Sequence, residues 1–296
     1  MQTRTAPPGT ELRSIGDLTC LEHSADSATL VVLLHGLGMD AHDYLPFITA
    51  QATQHTIALT LQGFDPSPDA PAGPHRDAQP VEMRAHITAV SEALGVIADE
   101  HPHKRIVLVG FSLGADLVLQ LAEHWSSSGE HPAEIASILL LDPNVNQSTM
   151  TISHLIADAD PQRAFPAFQK LIGMADDERL FLALLDYVSK IAYKDFEQLR
   201  QLSRDTLAYW EPSGYRQIRD RLTTVAGVAA QVRVVLSKPY EAHLPQLSSG
   251  FASESSGRVS FKLTEHQHFD LISSHVLAAE LSLLTSAMSH RAETRT

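Results

Sequence analysis

Short runs of hydrophobic residues recur along the chain, separated by longer segments in which apolar residues follow helical spacing. Runs of this length with little polar alternation are typical of strands buried on both faces of a sheet. We therefore predict strands at residues 29–34, 56–61, 105–109, 136–141, 232–236 and 259–263. An alternating stretch at residues 11–21 predicts an edge strand or one arm of a hairpin.

Helical segments lie between the predicted strands. We predict helices at residues 40–53, 81–100, 269–288 and from a turn at 110–114 to about residue 124. Strands that alternate with helices indicate an α/β fold with a mainly parallel central sheet flanked by helices.

The alternation of strands and helices stops after the fourth predicted strand and resumes before the fifth. Residues 146–228 contain helical segments and no strand-like run. We interpret this block as a helical cap inserted into a core made of residues 1–145 and 229–296. A second irregular stretch, residues 62–80, holds five prolines and predicts a loop over the open edge of the sheet.

Composition and charge narrow the classes of function. The 296 residues are 44% hydrophobic and 19% charged, which is typical of a globular protein, and the formal net charge is −13. This acidity argues against nucleic acid or a membrane surface as partner. The single cysteine, Cys20, excludes an internal disulfide and a cysteine-rich zinc site. The opening segment is polar and no apolar run approaches about 18 residues, so we expect a cytoplasmic protein that acts on a small molecule.

The strongest chemical signal is the segment Gly110-Phe111-Ser112-Leu113-Gly114. It follows a predicted strand directly and opens a predicted helix, which is the context that a nucleophile elbow requires. The flanking glycines allow strand and helix to approach closely, and the helix N-terminus favours negative charge that develops beside the serine. The alternative is an ordinary strand-to-helix turn with a capping serine.

Together with His35-Gly36-Leu37-Gly38 after an earlier strand, this motif and the order of the strands resemble the α/β-hydrolase superfamily, in its capped form. The resemblance implies an α/β-hydrolase fold with Ser112 as nucleophile. It also implies that the backbone N–H groups of Leu37 and Leu113 form the oxyanion hole. In this interpretation His35 is architectural and bonds loop backbone, and Phe111 contacts the substrate.

The resemblance places the catalytic base after the last strand, where Glu265-His266-Gln267-His268-Phe269 lies. A serine hydroxyl is a poor nucleophile without such a base. We prefer His268, because an aromatic residue and the final helix follow it, and keep His266 as the alternative. No spacing of histidines and acids in the chain predicts a metal site, and none indicates a cofactor.

The acid that orients the histidine has two candidates. The segment Glu241-Ala242-His243-Leu244-Pro245 follows the penultimate strand, where the family most often carries its acid, and glutamate can accept the imidazole N–H bond. The rival is Asp142, at the end of the preceding strand, although Asp142-Pro143 could also serve as turn chemistry. We prefer Glu241 and retain Asp142.

These residues predict a serine hydrolase for an ester or thioester of small to medium size and largely apolar character. Cleavage of a C–C bond beside a ketone is a variant of the same chemistry. Other hypotheses are an acyltransferase, a cofactor-independent lyase or oxygenase in which the histidine acts without serine attack, and a receptor without turnover. The sequence leaves a homodimer open.

Overall fold

The computed structural model describes residues 8–64, 79–160, 162–249 and 257–293. An eight-stranded sheet forms its centre, in the order β1-β2-β4-β3-β5-β6-β7-β8. The strands are β1 Thr10–Ile15, β2 Leu18–His23, β3 Thr29–Leu34, β4 His55–Thr60, β5 Arg105–Phe111, β6 Ile135–Leu141, β7 Val232–Leu236 and β8 Val259–Leu263.

The sheet is mainly parallel, as predicted. β1 and β2 form an antiparallel hairpin that pairs with β4, and β3 to β8 run parallel to one another. The bounds of β3, β7 and β8 agree with the sequence prediction, and those of β4, β5 and β6 differ by one or two residues. The predicted edge element at residues 11–21 is the hairpin of β1 and β2.

Ten α-helices occupy the described residues: α1 Leu45–Ala50, α2 Met83–Glu100, α3 Leu113–Ser128, α4 Thr151–Ala157, α5 Phe165–Ile172, α6 Glu178–Ile191, α7 Phe196–Tyr209, α8 Arg216–Val228, α9 Leu244–Ser248 and α10 Ser274–Glu293. None of them is long and apolar enough to cross a membrane.

The strand order explains why helices cover both faces. The chain moves in one direction from β3 to β4 through α1, and then in the other direction from β5 onward through α3 and α8. Because crossovers between parallel strands are right-handed, the reversal puts α1 on one face and the later crossover helices on the other. In agreement, α1 packs against α10, whereas α3 packs against α2 and α8.

Hydrophobic burial is strongest at the centre of this sheet. Every residue of β3 and β4 is buried, and so is every residue of β5 after Arg105. β3 and β5 are nearly continuous apolar runs, because both of their faces lie against helices. The predicted α/β class is therefore confirmed.

Between β6 and β7 the described residues form the helices α4 to α8 and no strand, in line with the predicted cap block 146–228. The last of these helices, α8, packs against α3 on the face of the sheet. The division of the chain into core and cap stays a prediction. Of the predicted proline-rich loop, residues 65–78 lie outside the described residues.

Two glycines allow β5 and α3 to meet. A Cβ on Gly110 would lie 2.4 Å from the carbonyl oxygen of Gly114, and a Cβ on Gly114 would lie 2.3 Å from the carbonyl oxygen of Leu34. Both contacts are with backbone atoms, which cannot rotate away. The turn between β5 and α3 therefore requires glycine at both positions.

We predict that Gly114→Ala lowers the free energy of unfolding by about 2 to 3 kcal/mol or prevents folding, because the new methyl group overlaps backbone of β3. Gly227→Ala is the matched control: no atom lies within 4 Å of a Cβ built at this exposed helical position. We expect it to be as stable as the wild type or more stable by up to about 1 kcal/mol, because alanine is the better helix former. Urea unfolding of both variants measures the difference, and equal stabilities would contradict the steric argument.

Candidate active site

The candidate residues meet at the carboxyl edge of the parallel strands, beside the point where the strand order reverses. Ligands bind at this kind of crevice in open α/β sheets. Ser112 follows β5, Leu37 follows β3, Asp142 follows β6 and His268 follows β8. Three of them, Ser112, Leu37 and His268, line one cavity.

Ser112 adopts a strained backbone conformation, with φ +52° and ψ −117°. Among the described residues the only other non-glycine residue with positive φ is Asp142, at +46°. The serine is held from both sides: its N–H donates to the carbonyl of Leu141 at 2.9 Å, and its own carbonyl accepts from the N–H of Ala115 at 2.9 Å. Such strain persists only where the surrounding structure enforces it, and it is concentrated at functional sites.

The backbone N–H groups of Leu37 and Leu113 donate no hydrogen bond to another described residue. Leu113 is the first residue of the 16-residue helix α3, whose initial N–H groups have no partner within the helix. Leu37 precedes Gly38, which has φ +71° and packs against Ile191 of α6. Both leucines line the cavity.

His268 is oriented by a carboxylate. Its Nδ1 lies 2.8 Å from Oδ2 of Asp142. Asp142 is buried and also accepts from the backbone N–H of Ser237 at 2.6 Å and from the hydroxyl of Ser237 at 2.5 Å. Donation from Nδ1 leaves Nε2 of the neutral imidazole as an acceptor, which is the tautomer that a general base requires.

The preference for Glu241 as the orienting acid is therefore corrected. Glu241 is exposed and follows the short helical turn Lys238–Tyr240, beyond β7. The end of β7 instead contributes Ser237, which binds the Asp142 carboxylate. Because the end of β6 lies beside the end of β7, Asp142 is buried next to Ser237, whereas Glu241 is exposed to solvent.

His266, the alternative base, does not line the cavity. Its carbonyl accepts from the N–H of Lys238, and its ring lies against the ring of His275. Gln267, which stands between the two histidines, has φ −81° and caps the short helical turn that begins at His268. A negative φ is accessible to any residue, so glutamine is accommodated at this turn without strain.

Phe111 and His35, the two remaining residues singled out from the sequence, both lie at the site. The ring of Phe111 lies 4.8 Å from the ring of His268 and lines the cavity. His35 bonds loop backbone, as predicted: its Nε2 accepts from the N–H of Leu61 at 3.0 Å, and its Nδ1 donates to the carbonyl of Gly36 at 2.8 Å. Complete burial lowers the pKa of His35, which keeps the ring neutral.

The cavity has a volume of about 240 Å³. Its wall contains no aspartate, glutamate, lysine or arginine among the described residues, and apolar side chains from α6 and the segment before it, such as Met174, Leu180 and Leu184, form one side. A charged group that entered would lose its hydration without an ionic partner, at a cost of order 5 kcal/mol. The cavity is therefore suited to an uncharged ligand.

Helix α6 is fixed to the loop that carries Leu37. The hydroxyl of Tyr187 donates to the carbonyl of Leu37 at 3.0 Å, and its ring lies 5.0 Å from that of Phe269, next to His268. Further along, Lys190 lies 2.7 Å from Asp43. Tyr187 thus joins the loop after β3 to the loop after β8. Nothing in the sequence around Tyr187 predicts these contacts.

A second buried carboxylate lies below the serine. Asp116 of α3 is fully buried and accepts from the backbone N–H of Asn144 at 3.1 Å and from Nδ2 of the Asn144 side chain at 2.5 Å. Asn144 lines the cavity, whereas Asp116 does not. Burial raises the pKa of Asp116 to about 6, although the hydrogen bonds from Asn144 and the positive charge of Arg221 oppose the shift.

Comparison with known proteins decides the family. A model of the α/β-hydrolase family matches residues 31–280, most of the chain. The chain belongs to the α/β-hydrolase family. The predicted resemblance is confirmed. No curated protein sequence matched this hydrolase.

Several solved structures share the fold of this hydrolase at low sequence identity. One is an AqdC variant in complex with its substrate, from a study of recognition and ring-cleavage of the Pseudomonas quinolone signal. Its sequence identity to this chain is 17%, the alignment covers 94% of this chain and 99% of that chain, and the TM-score is 0.68.

A thaumarchaeal carboxylesterase and MenH from S. aureus show the same fold. A carboxylesterase structure from the ammonia-oxidizing thaumarchaeon Nitrososphaera gargenis has 10% identity, with 95% of this chain and 99% of that chain covered and a TM-score of 0.63. MenH from S. aureus has 14% identity, with 93% of this chain and 98% of that chain covered and a TM-score of 0.60. At these identities the likeness shows the fold alone.

One group of possible metal ligands lies at the opposite edge of the sheet. Glu22, His55 and His101 bring ligand atoms within 4.8 Å of one another, a grouping that sequence spacing does not predict. Lys104 donates to Nδ1 of His55, so that Nε2 carries the proton and donates to Glu22 at 2.8 Å. Glu22 also pairs with Arg13. Two neighbouring cations and a protonated Nε2 suit an ionic network better than a metal ion.

We predict that Asp116 makes the stability of this hydrolase depend on pH. The pKa of the folded group, about 6, exceeds the value of about 3.9 in an unfolded chain, so the folded protein binds the proton more tightly. The contribution of this proton binding to the free energy of unfolding is complete below about pH 4 and is lost as the pH rises through 6. Relative to the wild type, Asp116→Asn should therefore gain stability between about pH 4.5 and 7. Urea unfolding across this range measures the gain, and a constant difference would contradict the assignment.

Proposed function

We propose that the protein is a serine hydrolase that cleaves an ester or thioester of a small, uncharged and largely apolar compound through an acyl-enzyme. One observation carries the proposal: the strained Ser112 opens onto the same cavity as His268, whose Nδ1 is held by the buried Asp142. A nucleophile, a base and an acid that orients the base are the components that acyl transfer by a serine requires.

In the proposed reaction, Nε2 of His268 takes the proton of the Ser112 hydroxyl as its oxygen attacks the carbonyl carbon. The negative charge moves to the carbonyl oxygen, which accepts hydrogen bonds from the N–H groups of Leu37 and Leu113. His268 returns the proton to the leaving group as the C–O or C–S bond breaks. Water, deprotonated by the same nitrogen, then releases the acid and restores Ser112. Asp142 stabilises the imidazolium throughout.

The cavity limits the substrate. A dry cavity of about 150 Å³ holds benzene, so a volume of 240 Å³ accommodates a group of roughly one ring with a short substituent. We propose that helices between β6 and β7 form the cap over this space. A cytoplasmic location and a small-molecule substrate, with neither nucleic acid nor membrane as partner, belong to the same proposal, and a homodimer is compatible with it.

The similarity to AqdC favours a second candidate, cofactor-independent ring cleavage. In that chemistry the pair of His268 and Asp142 acts as a base on the substrate, and Ser112 need not attack. Cleavage of a C–C bond beside a ketone and acyl transfer to an alcohol would instead use the same serine, and activity assays with these acceptors and substrates separate them from ester hydrolysis.

A fluorophosphonate probe tests the proposal, because it reacts with serines that are activated by a neighbouring base. We expect covalent labelling at Ser112 and its loss in Ser112→Ala, measured by mass spectrometry of the labelled peptide. Ser153→Ala, which removes another serine of the cavity wall, is the matched control and should label like the wild type. Absence of labelling in the wild type, with ring-cleaving activity that survives Ser112→Ala, would support the second candidate instead.

The two acids give a separate prediction. Asp142→Asn should lower kcat for ester hydrolysis by about 10⁴-fold, because an amide in contact with Nδ1 favours the wrong tautomer of His268. Glu241→Gln removes an exposed carboxylate and should leave kcat within about twofold of the wild type. Steady-state kinetics on the same ester compare them. A large loss in Glu241→Gln with none in Asp142→Asn would reverse the assignment.

A further inference from the structure

The mechanism above leaves the carboxylate of Asp116 unused. It is fully buried on α3, one helical turn after Ser112, and it forms no ion pair at contact distance among the described residues. Removing a carboxylate from water is unfavourable unless hydrogen bonds satisfy it. Here the bonds at contact distance come from the main-chain N–H and the side-chain amide of one residue, Asn144, so the arrangement holds Asn144 at two points.

This contact fixes the orientation of the Asn144 side chain. Above about pH 6 the carboxylate of Asp116 is ionised, accepts hydrogen bonds and cannot donate them, so the nitrogen of the amide must face it. The amide oxygen Oδ1 then points away from Asp116, and it accepts no hydrogen bond from another described residue. Asn144 lines the cavity, whereas Asp116 does not.

We propose that Oδ1 of Asn144 accepts a hydrogen bond from an O–H or N–H group of the ligand. The substrate is then an uncharged ester or thioester that also carries a hydroxyl or an N–H group. The inference rests on the proposed function only in that it takes the ligand to be the substrate. Asp116 is a positioning residue, because it acts through Asn144 and does not line the cavity.

The energetic consequence is a preference among ligands of equal size. A ligand that covers this oxygen without offering a donor leaves it unpaired, whereas a ligand with a donor replaces the bond that the oxygen forms to water. Sites built in this way reject analogues that lack the hydrogen-bonding group more strongly than they reject a change of one methyl group. Other polar side chains also line the cavity, such as Ser153 and Gln267, so variants at position 144 are needed to isolate the contribution of Asn144.

Phenol and toluene test the proposal, because they have nearly the same shape and differ in one donor. Their dissociation constants are measured by NMR titration of the wild type, Asn144→Leu and Asp116→Asn. The ratio of the toluene constant to the phenol constant should fall by about fivefold in Asn144→Leu, the value of one neutral hydrogen bond. Comparing ratios cancels the different hydration of the two ligands and any general loss of affinity.

Asp116→Asn tests the orientation without changing the wall. An amide at position 116 can donate to Oδ1 of Asn144, which allows the side chain to turn its nitrogen toward the cavity. The same ratio should therefore fall in this variant also, by up to about fivefold, because a phenol donates a hydrogen bond better than its oxygen accepts one. This result decides the matter if Asn144→Leu does not fold. A ratio that stays equal to that of the wild type in the folded variants, or a wild type that does not bind phenol, would overturn the proposal.

The fluorophosphonate experiment keeps the two proposals separate. Labelling at Ser112 with no loss of the phenol preference in the variants would retain the hydrolase and refute the subsite. Loss of the preference in the variants, in a protein that is not labelled, would retain the subsite and refute the serine mechanism.

Discussion

The close approach of β5 to α3 is the constraint on which the candidate site depends. Gly110 and Gly114 bring the strand and the helix within a distance that no Cβ tolerates, and the residue between them, Ser112, takes up a backbone conformation that L-residues rarely adopt. One turn of chain therefore exposes the hydroxyl, opens the helix N-terminus beside it and presents the N–H of Leu113. Other loops at this edge of the sheet carry His268, Asp142 and Leu37.

Much of this arrangement is predictable, because its signals are local in the sequence. Buried strands are short apolar runs, and a serine with a glycine two residues away on each side, between a strand and a helix, is typical of a nucleophile elbow. The loop after β8 can also be located, since it follows the last strand directly and precedes the final helix. The family resemblance depends on these local motifs, and the family model that matches residues 31–280 confirms it.

The remaining features depend on contacts between distant parts of the chain. Asp142 and Glu241 both follow strands, and only the packing of β6 beside β7 determines which carboxylate reaches His268. The partners of Tyr187 are 150 residues before it and 82 residues after it, so helical periodicity identifies it as a buried residue and no more. Sequence spacing does not predict the ionic network around Glu22 either, because Arg13, Glu22 and His55 lie on three different strands.

The attachment of α6 determines how a ligand can enter and leave. Tyr187 and Lys190 bind this helix to the chain segment after β3, and Gly38 of that segment packs against its last residue, Ile191. Swinging α6 outward would break these contacts together and release the peptide that presents the N–H of Leu37. Exchange between the cavity and solvent that preserves this peptide must therefore follow a route that leaves α6 in place, so the helix serves as a fixed wall of the cavity.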